Sequence, residues 1–543
     1  MKCLPGRARG SAVLLRAAKL LVAALATLTL LAAQGGAFAQ GTRGGTLVVG
    51  TTFEPRQLNP AITTSWADHL VASKIFSSLI RFPEKGFPTP QPDLAESWTV
   101  SPDGKRLTFN LVRNAKWHDG KPFTSADVKF TFEEIMPKLN PNRAIFKSIT
   151  KIETPDPYTV VMERTQPFVM FYFDMYNAGI LPKHIYQEGD ASKNPANLKP
   201  VGTGPFKFKE WVKGSHIELV RNDQYFRPNR PFLDRVVFKF VPDTGAAIAA
   251  LEKGEIDLMP RWVPLGDVQR IKAMPGIEVS SIGGVALAQL RWMTFNVRDP
   301  QLADVRVRQA IALGIDTAAV TRLATGGHFE VAETFIWKQF PEFNPKFSVS
   351  SAFRRDPAKA QQLLDAAGLK PGPGGVRAKL DLLTHTGVGD LDKTVEIIRD
   401  QLREIGIEVV VKRVERAAAF DLAKDGKFHL YIHSNWSTGP DPVTAPQRFF
   451  TSENIGKLLG NAGGYKSPEV DDLTEKALAE ANPQKKKELV WRLQEIFLRD
   501  LPALPLQQWV PVSAYRSEFV DVTTHSADGH ESFEDAYLKK AAR

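Results

Sequence analysis

Leu94-Ala-Glu-Ser-Trp-Thr-Val-Ser-Pro-Asp-Gly104 runs into Leu107-Thr-Phe-Asn-Leu-Val-Arg113 and then into Lys116-Trp-His-Asp-Gly-Lys-Pro-Phe-Thr-Ser-Ala-Asp-Val128. The first two pieces read as a strand, an Asp-Gly turn and a second strand, because β-favouring residues flank a dipeptide that tolerates the turn conformation. Another turn follows at Asp119-Gly120. Thr124, with Asp127 three residues on, then begins a helix, since both side chains can meet free N–H groups of the first turn. Working outward, Gly45-Thr-Leu-Val-Val-Gly50 is a short buried strand bounded by glycines, with Pro55 and Pro60 marking the loop behind it.

Towards the C-terminus, helices and strands alternate. Asp356-Pro357 places a capping carboxylate before a proline at the first helical position, Gly368 closes that helix, and Ser467-Pro468 begins another by the same logic. Ile397, Ile398, Leu402 and Ile405 fall on one helical stripe, Gly406 ends it, and Ile407 to Val411 continues as a strand. The same order recurs from Thr244 to Leu258, where Gly254 separates helix from strand. Such a succession predicts an α/β fold, with mixed sheets covered by helices.

At 543 residues, 43% hydrophobic and 24% charged, the chain is long enough for three or four units of about 150 residues and is not a disordered polymer. Residues 1–39 have the three parts of a signal peptide. Lys2, Arg7, Arg9, Arg16 and Lys19 form a basic leader, Leu20 to Leu31 an apolar core, and Ala37-Phe38-Ala39 a small-x-small cleavage pattern. Export to the periplasm follows as an expectation. No cysteine stands at the cut to carry a lipid anchor, and the only cysteine, Cys3, leaves with the leader, so no thiol chemistry is expected. Removing the leader reduces the net charge from +10 to +5, spread without a basic stripe, which argues against nucleic acid as a partner.

Catalytic motifs are nearly absent. There is no Gly-x-Ser-x-Gly, no phosphate loop, no His-Glu-x-x-His and no Gly-x-Gly-x-x-Gly. Ser148-Ile-Thr-Lys151 fits Ser-x-x-Lys without companion motifs. His429 and His433 are four apart, but Phe428 to Ile432 alternates as a strand, where that spacing does not converge on a metal. Asp471-Asp472 and Glu133-Glu134 are adjacent on helices and diverge by about 100°. Neither a metal nor a cofactor is expected. A periplasmic hydrolase is kept as the rival to a binding protein, for which the 10% aromatic content is suited.

The opening stretch, together with Pro200-Val-Gly-Thr-Gly-Pro-Phe206, Gly254-Glu-Ile-Asp257, Phe295-Asn296, Val305-Arg-Val-Arg-Gln-Ala310 and Ile405-Gly-Ile407, resembles the extracellular solute-binding proteins of family 5. These are peptide, opine and nickel receptors of ABC importers. The resemblance implies a periplasmic-binding-protein-like, two-lobed fold with a third, inserted α/β domain. Its domains would be 40–73, 200–284 and 503–543 (discontinuous domain I), 74–199 (inserted domain II) and 285–502 (domain III, the opposing lobe). It further implies a monomer that closes on a small-molecule or peptide ligand and delivers it to an ABC permease and ATPase complex, without chemistry on the ligand.

Peptide-binding relatives meet the peptide amine with an aspartate in a Trp-x-x-Asp loop followed by Asp-Pro. Here the stretch is Asn435-Trp436-Ser437-Thr438-Gly439-Pro440-Asp441-Pro442, with Gly439 where that aspartate would stand. A loop one residue shorter would put Asp441 there instead, although Asp-Pro is also a turn former. An opine or amino-acid derivative therefore stands beside a peptide as the expected solute. Placement adds Trp436, Ser437 and Thr438 at a strand end, and Arg261 and Trp262 after the Ile256 to Met259 strand. Glu54 in the loop after the first strand and His385 after the Leu380 to Leu383 strand complete the candidate ligand contacts.

Overall fold

The computed structural model describes residues 42–539 apart from 83–88, 142, 166–174, 176–177, 283, 285–287, 434–435, 438–440 and 526–528. The leader at 1–39 lies outside the described residues, as does Thr438. Arg43–Lys539 forms one unit containing two seven-stranded sheets and a four-stranded one.

In the first large sheet the strand order is Ile277–Ser280, Ser513–Arg516, Leu258–Met259, Thr46–Thr51, Arg235–Phe240, His216–Arg221 and Phe206–Val212. Thr46–Thr51 runs parallel to both of its neighbours, and the rest of the sheet is antiparallel. Leu47 and Val49 are fully buried, as expected of a central strand. The expected strand at 256–259 is shortened to Leu258–Met259, because Asp257 turns its carboxylate onto Val48 N (2.8 Å).

In the second large sheet the order is Glu330–Val331, Ala503–Gln508, Gln289–Phe295, Leu430–Ile432, Ala378–His385 and Ile407–Val414, with Trp436–Ser437 also paired to Gln289–Leu290. The helix Gly389–Glu404 lays Leu391, Val395, Ile398 and Leu402 on this sheet against Leu380, Leu382 and Ile407. It begins eight residues before the stripe read from the sequence, with Asp390 and Asp392 in its first turn, where the helix dipole favours them. Gly406 follows with φ +85°, a conformation that a side chain would resist, and lets the chain turn directly into the next strand.

In sequence the opening stretch is inserted in the first large sheet, between Thr46–Thr51 and Phe206–Val212. Ala95–Val100 and Arg106–Leu111 pair antiparallel and continue through Thr159–Arg164 to Ile149–Asp156. Gly104 supplies the turn, and Thr124 with Asp127 forms the expected capping box. The adjacent carboxylates Glu133, Glu134 and Asp472 each meet a lysine one helical turn away, Lys129, Lys138 and Lys476, so they are surface ion pairs.

The chain passes from the first large sheet to the second between Ser280 and Gln289, and returns between Gln508 and Ser513. Ala503–Gln508, assigned by the sequence reading to domain I, hydrogen-bonds to Gln289–Phe295 in the second sheet. The two crossings touch: Trp509 N and Trp337 Nε1 both donate to Gln289 O, at 2.9 and 3.1 Å.

Asp257 gives a pH test. Burial raises its pKa from 3.8 to about 6, with Glu518 acting in the same direction and the Val48 N–H and Arg516 opposing. Since the folded value lies above the unfolded one, the group's contribution to stability is complete below about pH 4 and is lost as pH rises towards 6. Asp257→Asn keeps an acceptor for Val48 N and does not titrate. Its Tm relative to wild type should climb between pH 4 and 7 in differential scanning calorimetry; a constant difference would contradict the assignment.

Candidate functional site

Thr46–Thr51 and Leu258–Met259 are parallel neighbours, so the segments leaving their C-terminal ends emerge together, the usual position of a ligand crevice in an open α/β sheet. Phe53 follows the first strand. Arg261 and Trp262 follow the second, after Pro260. Trp66 begins the helix Trp66–Ile75, capped by Ser65, and Trp509 lies in the return crossing.

These rings form one face. Phe53 is 6.1 Å from Trp66 and 5.9 Å from Trp262, Trp66 is 6.3 Å from Trp262 and nearly perpendicular to it, and Trp262 is 6.5 Å from Trp509. Phe329, which leads into the second sheet, continues the series at 6.3 Å from Trp509. Phe53 and Trp262 are 45% and 44% exposed, so part of this face is open to solvent. Behind the face the guanidinium of Arg261 is buried, its Cζ 4.9 Å from the Trp509 ring, 5.2 Å from Trp262 and 5.9 Å from Trp66. Cation–π attraction suits that position. Arg261 adopts φ +64°, uncommon for a residue with a side chain, and Ser513 Oγ accepts its N–H at 2.8 Å.

The other candidates are distributed differently. Glu54 turns away to the neighbouring hairpin, where its carboxylate accepts from Trp211 Nε1 at 2.9 Å and Gly214 N at 3.2 Å. His385 is buried in the second lobe, its ring 5.0 Å from that of His433 and its Nδ1 3.0 Å from Thr386 O. Burial lowers its pKa, helped by Arg416 and Arg291 against the Thr386 carbonyl and Asp392, which favours the neutral ring. His429 and His433 do not converge: His429 Nδ1 accepts from Asp381 N at 3.0 Å, whereas His433 packs on His385 and Phe420. Trp436–Ser437 pairs with the start of Gln289–Phe295, at the crossing.

Asp441 is not presented to a ligand amine. It is buried with Lys486 Nζ 2.5 Å from Oδ2, and Oδ1 accepts from Val443 N at 2.8 Å. Glu342 lies near enough that its pKa is raised, first by burial and then by Asp441, with Lys486 opposing.

Sequence reasoning missed Phe53, Trp66 and Trp509. The available signal was an aromatic residue in each segment that follows or precedes a central strand. It also missed Arg291, buried in the second sheet, whose guanidinium reaches Asp390 Oδ2 at 2.9 Å and Gln507 Oε1 at 2.6 Å. Among the described residues, Glu210, His216 and Glu218 bring three potential metal-ligand atoms within 4.8 Å of one another. Lys209 at 3.1 Å and Arg235 at 3.4 Å already neutralise Glu218, making this an ion-pair network.

Residues 89–457 match the model of the bacterial extracellular solute-binding proteins, family 5. The chain belongs to that family. It is 30% identical over 453 residues to the oligopeptide-binding protein AppA of Bacillus subtilis, covering 80% of this chain and 81% of AppA. The AppA structure with a nonapeptide superposes with a TM-score of 0.70 at 26% identity, covering 92% of this chain and all of that one. AgaA of A. tumefaciens, in complex with agropinic acid, gives 0.68 at 25% identity, covering 91% and 99%. HbpA2 of Haemophilus parasuis gives 0.81 at 24%, covering 91% and 100%, which establishes the two-lobed periplasmic-binding fold. As a member of this family the chain is a solute-binding protein and not an enzyme, so the hydrolase rival is set aside.

Lys486→Met should cost about 3–5 kcal/mol, because it leaves Asp441 charged and unpaired in the interior. Urea denaturation measures this. A loss under about 1 kcal/mol, the value of an exposed pair, would show that the pair does not hold that loop.

Proposed function

We propose that this protein captures a small organic solute, a peptide, opine or amino-acid derivative, in the periplasm and delivers it to an ABC permease and ATPase complex. The observation that carries the reading is the aromatic face of Phe53, Trp66, Trp262 and Trp509, half-exposed at Phe53 and Trp262, beside the crossings and packed on Arg261. Trp262 meets the apolar part of the solute. Trp436, Ser437 and Thr438, which belong to the domain III sequence, complete the solute contacts, while Glu54, His385 and Asp441 support the walls through the internal partners described above. Relatives found with a nonapeptide and with agropinic acid support a peptide or opine as the solute.

The proposed organisation has residues 1–39 cleaved as a signal peptide without lipid attachment, and the mature chain acting as a monomer. Domain I comprises 40–73, 200–284 and the segment after the return crossing at 509–512, domain II comprises 74–199, and domain III runs from 285 to 508. The solute favours the closed form through contacts that both lobes make only when shut.

A thermal-shift screen over peptides, opines and amino-acid derivatives tests the reading. A true solute raises Tm with concentration, by the equivalent of about 2.7 kcal/mol at one hundred times its Kd, and is recovered unchanged. Trp262→Ala should weaken that solute at least about tenfold, the worth of one well-packed aromatic contact, with little change in apo Tm because the ring is half-exposed. Unchanged affinity would move the site elsewhere, and consumption of the compound would refute the receptor reading.

A further inference from the structure

Trp66 has the exposed aromatic face on one side and the C-terminal segment on the other. Towards the face lie Phe53 and Trp262, both nearly perpendicular to it. Behind it lies Gly529, at φ +84°. A methyl group built on the Gly529 α-carbon would sit 2.5 Å from Trp66 Nε1, 2.9 Å from Cε2 and 3.2 Å from Cζ2. The first two separations are far inside van der Waals contact, so the indole keeps its place only while residue 529 has no side chain.

The segment has no freedom to retreat. The Gly529 carbonyl accepts from Lys74 Nζ at 2.9 Å and from Ser73 Oγ at 3.4 Å, both on the helix that Trp66 begins. Lys74 is completely buried, and its ammonium lies 4.5 Å over the Phe533 ring. The following residue, Glu534, is held by Tyr225 Oη at 2.6 Å, by Arg227 Nη1 at 2.7 Å and by Arg81. Residues 529–534 are thus a strap pinned at both ends, with its bare α-carbon against the back of a site-lining ring.

We infer that Gly529 is a positioning residue for the solute site: it fixes the indole of Trp66 and, through it, the arrangement of Phe53 and Trp262. The inference rests on the proposed role of the aromatic face, but it is tested without a ligand, so the two fail separately. Protein labelled with 5-fluorotryptophan gives one ¹⁹F resonance per tryptophan, and Trp66→Phe and Trp262→Phe assign the two that matter. Gly529→Ala should move the Trp66 and Trp262 resonances and leave those of Trp98, Trp117 and Trp292 in place. Phenylalanine lacks the indole nitrogen and fused ring that the methyl group would strike. In the Trp66→Phe background, Gly529→Ala should therefore leave Trp262 unmoved, a coupling that a merely structural role would not produce. Unmoved Trp66 and Trp262 resonances, an equal Trp262 shift in both backgrounds, or displacement of all five would overturn the inference. Should Gly529→Ala fail to fold, Lys74→Gln releases the same carbonyl; the Trp66 resonance should shift, and its constancy would overturn the inference equally.

Discussion

Two crossings join the lobes, and they are tied to each other at one carbonyl. Gln289 O receives Trp509 N from the return crossing and Trp337 Nε1 from the second lobe. Gly284 leaves room beside it: a methyl group there would come within 2.7 Å of Pro511 and 2.8 Å of Trp337. A pair of crossings between two lobes is the place where a hinge movement would be absorbed. The aromatic face depends on these crossings, because Trp509 lies within one of them while Trp262 and Phe329 approach it from opposite sheets.

The face combines two stabilising arrangements that meet in Arg261. Burial of a guanidinium is costly, and three indoles reduce that cost through their ring electrons while excluding water from the cation. The same indoles need an anchor, since Trp66 and Trp262 stand edge-on and Trp262 keeps 44% of its surface in solvent. The strained backbone at Arg261, held by Ser513, and the strap behind Trp66 supply it from two distant parts of the chain. Conformational cost is concentrated where the solute is proposed to bind, which is common at functional sites.

Local grammar was legible in the sequence. The Thr124 capping box, the proline-initiated helices after Asp356 and Ser467, and the turn at Gly406 all appear where their residues demand them. Sheet membership was not, because Ala503–Gln508 has the same apolar character whichever sheet it joins, and only its register with Gln289–Phe295 decides. The site was half legible. Arg261 and Trp262 follow from the end of a strand, but Asp441 drew attention as a free carboxylate because Lys486, 45 residues away, gives no local sign of neutralising it. Trp66 and Trp509 are brought together only by the fold.

Ser513–Arg516 completes the first large sheet between Leu258–Met259 and Ile277–Ser280, although it is made almost last. Until it arrives, those two short strands present unsatisfied edges, and the lobe that begins with Thr46 stays unfinished through some 460 residues of further synthesis. Closure of so long a loop delays native pairing and prolongs exposure to aggregation. In a chain of this design the lobe begun first is the one completed last, whereas the four-stranded sheet of residues 95–164 has all its strands early.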